Sequence, residues 1–213
     1  MLEDEKANAE AIRGRLAPHA CSMLMKVLYG SRFARMDLLR MFGFLAQTFH
    51  RWTTKCDTRL HRLMCYLHTT VHAIQFGWCG DTLDQINPFL YADADLAGCV
   101  STQRATNGNL SCVRGKNTFW PISGCSKRQG CVSCSSAEAE IVSTAYALKN
   151  VGLPGLDLWS KLLPHKPKTW FLEDNQAMLQ CIKTGKNPTM RYLLRTHRIS
   201  IAWLNEVYKS GQL

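Results

Sequence analysis

The chain has 213 residues and a formal net charge of +10, from 26 lysines and arginines against 16 aspartates and glutamates. This length allows one large domain or a domain with an appended piece, and 46% hydrophobic residues suffice for a buried core. The charge indicates an acidic partner such as nucleic acid or an anionic surface, although a merely soluble basic protein would have the same balance. No apolar run is long enough to cross a bilayer, so we expect no membrane-spanning helix.

The N-terminus and the cysteines predict the compartment. The first five residues, Met-Leu-Glu-Asp-Glu, are acidic and lack the basic-then-apolar order of a signal peptide. Ten cysteines without a secretion signal are expected to be reduced thiols rather than a disulfide framework. Cys131 and Cys134 form a close pair with Cys125 nearby, but a zinc site would need a second matched pair. We therefore expect a cytoplasmic or nuclear protein with reduced thiols. A zinc site at this cysteine pair is the less favoured alternative.

The first part of the chain is predicted to be helical. Residues 1–18 are polar and predict a lead-in, whereas residues 19–87 predict helices followed by a linker. The alternation of Ile74, Phe76 and Trp78 predicts a strand within this part. Two apolar stripes recur at helical spacing: Leu38, Leu39, Phe42, Leu45 and Ala46, then Leu60, Leu63, Met64 and Leu67.

Residues 88–213 predict a second domain of mixed α and β structure. Leu90, Ala92 and Ala94 alternate with polar or aromatic residues, which predicts a strand with one buried face. The element order βββ-α-β-α-α implies a mixed sheet flanked by helices. The predicted elements are strands at 89–95, 110–114, 118–122 and 169–172, turns at 107–109 and 115–117, and helices at 136–149, 175–183 (stopped by Gly185) and about 189–209.

Three carboxylates stand where this order could bring them together. Asp93 ends the first strand, Asp174 ends the later apolar strand, and Glu140 lies one turn into the helix that follows the meander. Hard cations such as Mg²⁺ take oxygen ligands, usually one or two carboxylates plus substrate phosphate. Acids concentrated in an otherwise basic chain therefore predict a divalent metal facing a polyanion, and thus phosphodiester chemistry.

Each nearby acid also has a structural interpretation. Asp95 could close its strand as an Asx turn, and Asp174 could be the N-cap of the next helix. Ser135 and Glu138 have the spacing of a capping box, which leaves Glu140 as the functional candidate. Glu173 is expected on the opposite strand face, exposed to solvent.

Five motifs in this order resemble the ribonuclease H domain of copia-type LTR retrotransposon polyproteins. The upstream helical part, with Arg-Leu-His-Arg-Leu-Met-Cys-Tyr-Leu at 59–67, is similar to the segment that follows the polymerase palm in the same polyproteins. The motifs are Tyr-Ala-Asp-Ala-Asp-Leu-Ala-Gly-Cys (91–99), Thr-x-Arg-x-Thr-x-Gly (102–108), Ser-Lys-Arg-Gln (126–129), Ser-Ser-Ala-Glu-Ala-Glu (135–140) and Glu-Asp-Asn-Gln-Ala (173–177).

The resemblance implies a fold, a reaction and a set of ligands. The implied fold is ribonuclease H-like, a five-stranded mixed sheet flanked by helices, and residues 19–87 would be a remnant of the reverse-transcriptase connection. The implied reaction is hydrolysis of the RNA strand of an RNA–DNA hybrid with Mg²⁺ or Mn²⁺. Asp93, Glu140 and Asp174 match the first three metal-binding acids of the family.

Two departures from the family pattern matter for activity. The chain has no Tyr-x-Asp-Asp motif, so we expect a fragment of a larger polyprotein without polymerase activity. Ser200 replaces the acid expected as a fourth ligand, and Glu206 is a poor substitute nearly two helical turns later. The alternative is therefore an inactive or weak remnant that binds nucleic acid without turnover. A transposase or integrase is disfavoured because the Glu140 helix lies between the other two acids.

The basic residues are unevenly distributed. Residues 11–62 carry ten lysines and arginines against Asp37 and Asp57, and residues 183–198 carry five basic residues and no acid. Positive charge away from the predicted core indicates contacts with phosphates. The predicted nucleic-acid contacts are Arg51, Lys55, Arg59, Arg62, Lys127, Arg128, Arg195 and Arg198.

Overall fold

The computed structural model describes residues 12–99 and 101–213, which form two compact units that divide between Gln75 and Phe76. Most of the predicted polar lead-in, residues 1–18, lies outside the described residues, and the first described helix begins at Ala17. No helix of the described residues is both long and apolar enough to cross a membrane.

The first unit is helical, as predicted. Leu45, Leu60 and Leu63 from the two predicted stripes are buried in one core, and Phe42 packs against it. The apolar spacing therefore identified the buried faces correctly. The unit consists of α1 (Ala17–Phe33), α2 (Leu39–Ala46) and α3 (Thr54–Thr69), with 3-10 turns at Met36–Leu38 and Phe49–Arg51.

The acid Asp57 of this unit has a structural role. Its carboxylate accepts hydrogen bonds from the backbone N–H of Arg15 at 2.7 Å and of Leu16 at 3.2 Å, and from the Trp52 indole at 2.7 Å. These bonds satisfy amides at the start of α1, which otherwise lack partners at a helix N-terminus. Asp57 thus joins α1 to the beginning of α3.

The strand predicted around Ile74–Trp78 is wrong. Ile74, Phe76 and Trp78 are all exposed, so their alternation does not mark a buried face. Trp78 makes one antiparallel bridge with Phe119, in which each backbone N–H bonds the other's carbonyl at 2.9 Å. Thr118 Oγ1 accepts hydrogen bonds from the backbone N–H groups of Gly80 and Asp81. The beginning of the predicted linker is therefore bound to the second unit.

A four-stranded mixed sheet organises the second unit. The strand order is β3-β2-β1-β4, with β1–β2 and β2–β3 antiparallel and β1–β4 parallel. The mixed sheet flanked by helices is confirmed, with four strands among the described residues. The strands are β1 (Asn87–Asp95), β2 (Thr106–Arg114), β3 (Phe119–Arg128) and β4 (Trp170–Leu172).

The predicted turn at residues 107–109 lies inside β2 instead. Asn107 and Asn109 are buried there, and Gly108 pairs directly with Asp93. Asn107 Oδ1 accepts from the Gln129 side chain at 2.7 Å, so an inward-facing polar residue has a buried partner. Strand pairing and this buried hydrogen bond override the local turn preference. The second predicted turn is present, closed by the Gly115 N–H on the Thr118 carbonyl.

The helices of the second unit pack on the β1 face that carries Leu90 and Ala92. Ile141, Met178 and Leu204 from three different helices share one core with these two residues. The alternation predicted for β1 is therefore correct. The helices are α4 (Ser136–Ala147), continued by a π turn at Leu148–Gly152, α5 (Leu153–Leu162), α6 (Gln176–Thr184), α7 (Leu193–Thr196) and α8 (Ile201–Lys209).

The helical segment predicted at about 189–209 is interrupted. Arg198 has a positive φ of 57°, a conformation that cannot continue a right-handed helix. Ser200 then begins α8 as its N-cap. By contrast α6 ends as predicted, because Gly185 adopts the left-handed conformation with φ of 71°.

Candidate active site

Asp93 and Asp174 lie at the same end of two neighbouring parallel strands. Tyr91 of β1 pairs with Leu172 of β4, and each acid follows two residues after its strand's member of that pair. Both acids are exposed. The parallel β1–β4 pairing therefore places these two carboxylates at one edge of the sheet, as the sequence predicted.

Glu140 supplies a buried carboxylate beside this edge. Its helix α4 is fixed to β1 by the Ser143 hydroxyl, which donates to the Asp93 carbonyl at 2.7 Å. Glu140 is 5% exposed, and its Oε2 atom is buried without a hydrogen-bond partner. Burial raises the pKa of Glu140 to about 7, with contributions from the charges of Asp93 and Asp174 and a partial offset by the Ala94 amide. The charge of Glu140 is therefore influenced by both of the other predicted acids.

Glu173 is a fourth carboxylate at this site, and its predicted exposure to solvent is wrong. Burial raises the pKa of Glu173 to about 8, and the charges of Glu140 and Asp174 add to the shift. Its Oε1 accepts from the Asn175 amide at 3.3 Å, while Oε2 is buried without a partner. Because β4 ends at Leu172, the two-residue alternation of a strand no longer determines where Glu173 points.

Asn175, rather than Asp174, caps the helix that follows β4. Asn175 Oδ1 accepts from the Met178 backbone N–H at 3.0 Å. The structural interpretation of Asp174 as an N-cap is therefore wrong, and its carboxylate is not used to satisfy the helix end. Asp95 has its carboxylate so close to Gly98 that a Cβ at that position would not fit, which agrees with a turn-closing role.

Glu138 is a buried carboxylate at the centre of a hydrogen-bond cluster. Ser135 Oγ accepts from the Glu138 amide at 3.2 Å, and Glu138 Oε2 accepts from the Cys134 amide at 2.9 Å. Glu138 also accepts from the Tyr192 hydroxyl at 2.7 Å and pairs with His197 Nε2 at 3.0 Å. Glu138 is 1% exposed, so this cluster joins the start of α4 to α7 and the residues beside it. The predicted capping box is correct for the Ser135 side chain, whereas Glu138 accepts from the amide before the N-cap and not from the N-cap itself.

Ser200 caps α8. Its Oγ accepts from the Trp203 backbone N–H at 3.2 Å, and the residue is half-buried. The hydroxyl at the position of the expected fourth ligand therefore has a helix-capping function, which the serine type and the following helical pattern could have indicated.

The predicted nucleic-acid contacts are distributed over both units. In the second unit Lys127 lies over the Tyr146 ring at 5.0 Å, and Arg128 Nη1 lies 3.8 Å from Cys99 Sγ. In the first unit Arg59 lies over the Phe44 ring at 4.7 Å. The remaining predicted contacts are exposed: Arg51, Lys55, Arg62, Arg195 and Arg198.

Among residues 12–99 and 101–213, no three His, Cys, Asp or Glu side chains are grouped so that they could hold a metal ion between them. The carboxylates described above thus form an electrostatic cluster rather than a preformed cage. All ten cysteines are free thiols.

No protein-family model matches the chain, and no curated protein or solved structure matches it either. The function proposed below therefore depends on the motifs of this sequence and on the geometry of its carboxylates.

Proposed function

We propose that residues 88–213 form a ribonuclease H-like domain that hydrolyses the RNA strand of RNA–DNA hybrids with Mg²⁺ or Mn²⁺. The main supporting observation is the buried carboxylate of Glu140, whose pKa is raised to about 7 by burial and by Asp93 and Asp174. The proposed fold has a sheet of five strands, one more than the sheet of the described residues. The chain would be a fragment of a copia-type retrotransposon polyprotein, with residues 19–87 as its connection remnant.

Two buried carboxylate oxygens favour a divalent cation at this site. Glu140 and Glu173 each have one buried oxygen without a partner, and burying a carboxylate is costly unless a proton, a cation or hydrogen bonds compensate it. Mg²⁺ commonly binds through one or two carboxylates together with substrate phosphate. A cage of three protein ligands is therefore not required before the substrate arrives. When bound, the cation would stabilise the charge that develops on the attacking and leaving oxygens.

The protein's own residues contribute position and charge. Ser143 holds α4 against β1, which fixes Glu140 beside the sheet edge. Asp93 and Asp174 are exposed at that edge, where a phosphate backbone could approach. Glu140 must lose its proton before it can bind a cation, and with a pKa of about 7 this requires neutral or higher pH or a competing cation.

One observation favours a second candidate, a weak or inactive remnant that binds nucleic acid without turnover. Ser200 stands where the fourth acid is expected, and its hydroxyl is used to cap α8. A site with one carboxylate fewer has less negative charge to hold the cation. The remnant would keep the basic surfaces and would lose cleavage.

Replacing Asp174 by Asn tests the carboxylate assignment. The substitution removes one charge from an exposed residue, so the fold should survive while cation-dependent hybrid cleavage falls about a hundredfold or more. Asp157→Asn is the matched control, because Asp157 is exposed on α5. This substitution makes the same chemical change away from the site. Cleavage rates are measured on a labelled hybrid at saturating Mg²⁺. Equal rates for both variants and the wild type would show that Asp174 is not part of the site.

A further inference from the structure

The sheet face opposite the helices carries a preformed aromatic stack. Phe89 of β1 and Trp170 of β4 are direct register partners, with ring centroids 5.8 Å apart and an interplanar angle of 10°. The Arg114 guanidinium carbon lies 5.1 Å from the centre of the Phe89 ring. We call Arg114, Phe89 and Trp170 the aromatic platform. Trp170 ends this stack and is 56% exposed, so a planar group could extend it.

The aromatic platform borders a shallow cavity of about 310 Å³. This volume is at the lower end of the range for small-molecule pockets, which suits a planar ring rather than a large ligand. Gln85 and Asn87 are among the residues that line it. His165 Nε2 lies 3.3 Å from Asn87 Oδ1, and its Nδ1 atom is buried without a hydrogen-bond partner.

The charges around the aromatic platform favour an anionic partner. Arg114 belongs to the platform itself, and the exposed residues Lys166 and Lys168 lie shortly before Trp170 in the chain. Two acids are nearby. Asp81 is occupied by the Asn117 backbone and side chain, and hydrogen bonding to Thr82 together with the charge of His165 lowers the pKa of Asp84. Both acids keep their negative charge, so the three basic residues Arg114, Lys166 and Lys168 exceed them by one positive charge.

We propose that the aromatic platform binds an unpaired base of single-stranded nucleic acid, which stacks on Trp170. Proteins that bind single strands combine positive charge along the backbone with aromatic rings on which bases stack. In a duplex the bases are already stacked on each other, so a duplex has no free base for Trp170. This inference uses the nucleic-acid partner of the proposed function but does not need cleavage.

The position of the aromatic platform connects it to the carboxylates. Phe89 and Asp93 lie on the same face of β1, four residues apart, which corresponds to roughly 13 Å along a strand. A single strand that extends from the end of a hybrid at Asp93 could therefore reach Trp170. Hybrids with an unpaired extension are thus the expected preferred substrates.

Binding of short oligonucleotides tests the proposal. Fluorescence titration with oligothymidylate should show quenching, and Trp170→Ala should weaken binding by about five- to a hundredfold, the usual effect of losing one stacked base. Trp170→Phe should retain most of the affinity because it preserves a ring against Phe89. Trp120→Ala is the matched control, since Trp120 is 51% exposed on β3 of the same sheet.

An abasic oligonucleotide of equal length provides a test that needs no variant. It has the same phosphates and no bases, so the wild-type protein should bind it more weakly than oligothymidylate by a similar factor. Equal binding of the two oligonucleotides, or unchanged binding by Trp170→Ala, would overturn base stacking. A loss of self-association in Trp170→Ala with unchanged oligonucleotide binding would instead make the platform a contact between copies and would also overturn it. Cleavage of a blunt hybrid by Trp170→Ala tests the proposed function separately.

Discussion

At the scale of single residues, the protonation of Glu140 makes the stability of the protein depend on pH. Its folded pKa of about 7 lies above the ordinary value of 4.5, so the folded state holds a proton that the unfolded chain releases. The resulting contribution to stability is fully present below pH 4.5 and is lost as the pH rises through 7. Glu173, with a raised pKa of about 8, acts in the same direction.

We therefore expect the unfolding free energy of metal-free protein to fall between pH 5 and pH 8. A shift from 4.5 to about 7 corresponds to about 3 kcal/mol for Glu140. Glu140→Gln should show a flatter pH dependence, and Mg²⁺ should stabilise the wild type at pH 8 but not at pH 5. Urea unfolding at each pH measures these differences, with the exposed Glu206→Gln as control. The same pH slope in wild type and Glu140→Gln would contradict the burial argument.

Single residues also show which features of the site could not be predicted from the sequence. The positions of Asp93 and Asp174 follow from strand periodicity, because each acid lies within two residues of the end of a recognisable strand. The burial of Glu173 does not follow, since it lies after β4 where alternation ceases and its direction is set by the tertiary fold. Ser135, Ser200 and Asn175 all accept a bond from a backbone N–H of the helix that they begin, which fits their residue types.

At the scale of elements, the position of Glu140 depends on the contacts that hold the start of α4. Glu138 binds Cys134, Tyr192 and His197, and it precedes Glu140 by two residues on the same helix. The hydrogen bond to Glu138 raises the pKa of Tyr192 to about 12, with a further contribution from burial. Loss of the Glu138 charge should therefore loosen both α4 and α7.

Glu138→Gln tests this role. The variant keeps one acceptor but loses the charge that binds His197, so we expect the unfolding free energy to fall by about 2 kcal/mol or more. Tyr192→Phe removes one bond from the same cluster and should cost about 1 kcal/mol. Urea unfolding measures both, and hydrogen exchange should show reduced protection in α7 for Glu138→Gln. An unfolding midpoint equal to that of Glu206→Gln would show that the cluster does not hold α4.

At the same scale, element types were more predictable than their ends. The apolar periods identified α3, α4 and the buried face of β1, because burial requires those patterns. The Asn-Gly-Asn segment was misassigned as a turn, since its pairing with β1 depends on contacts distant in sequence. The break at Arg198 has no strong local signal, because arginine has no preference for a positive φ.

At the scale of the whole molecule, we propose that a basic chain with four interacting carboxylates cleaves the RNA strand of a hybrid. The net charge of +10 provides attraction to phosphates, and the sheet edge provides the acids. These properties together predict a metal-dependent nuclease, and the missing Tyr-x-Asp-Asp motif predicts that it does not extend primers.

Hybrid cleavage by the wild-type chain is the most direct test, with separate labels on the RNA and DNA strands. We expect RNA fragments with Mg²⁺ or Mn²⁺, an intact DNA strand, and no products with EDTA, because the carboxylates need a cation and the RNA 2′-hydroxyls distinguish the strands. Single-stranded RNA and duplex DNA of the same sequence are the controls. An intact hybrid with both metals, or equal cleavage of the DNA strand, would contradict the account.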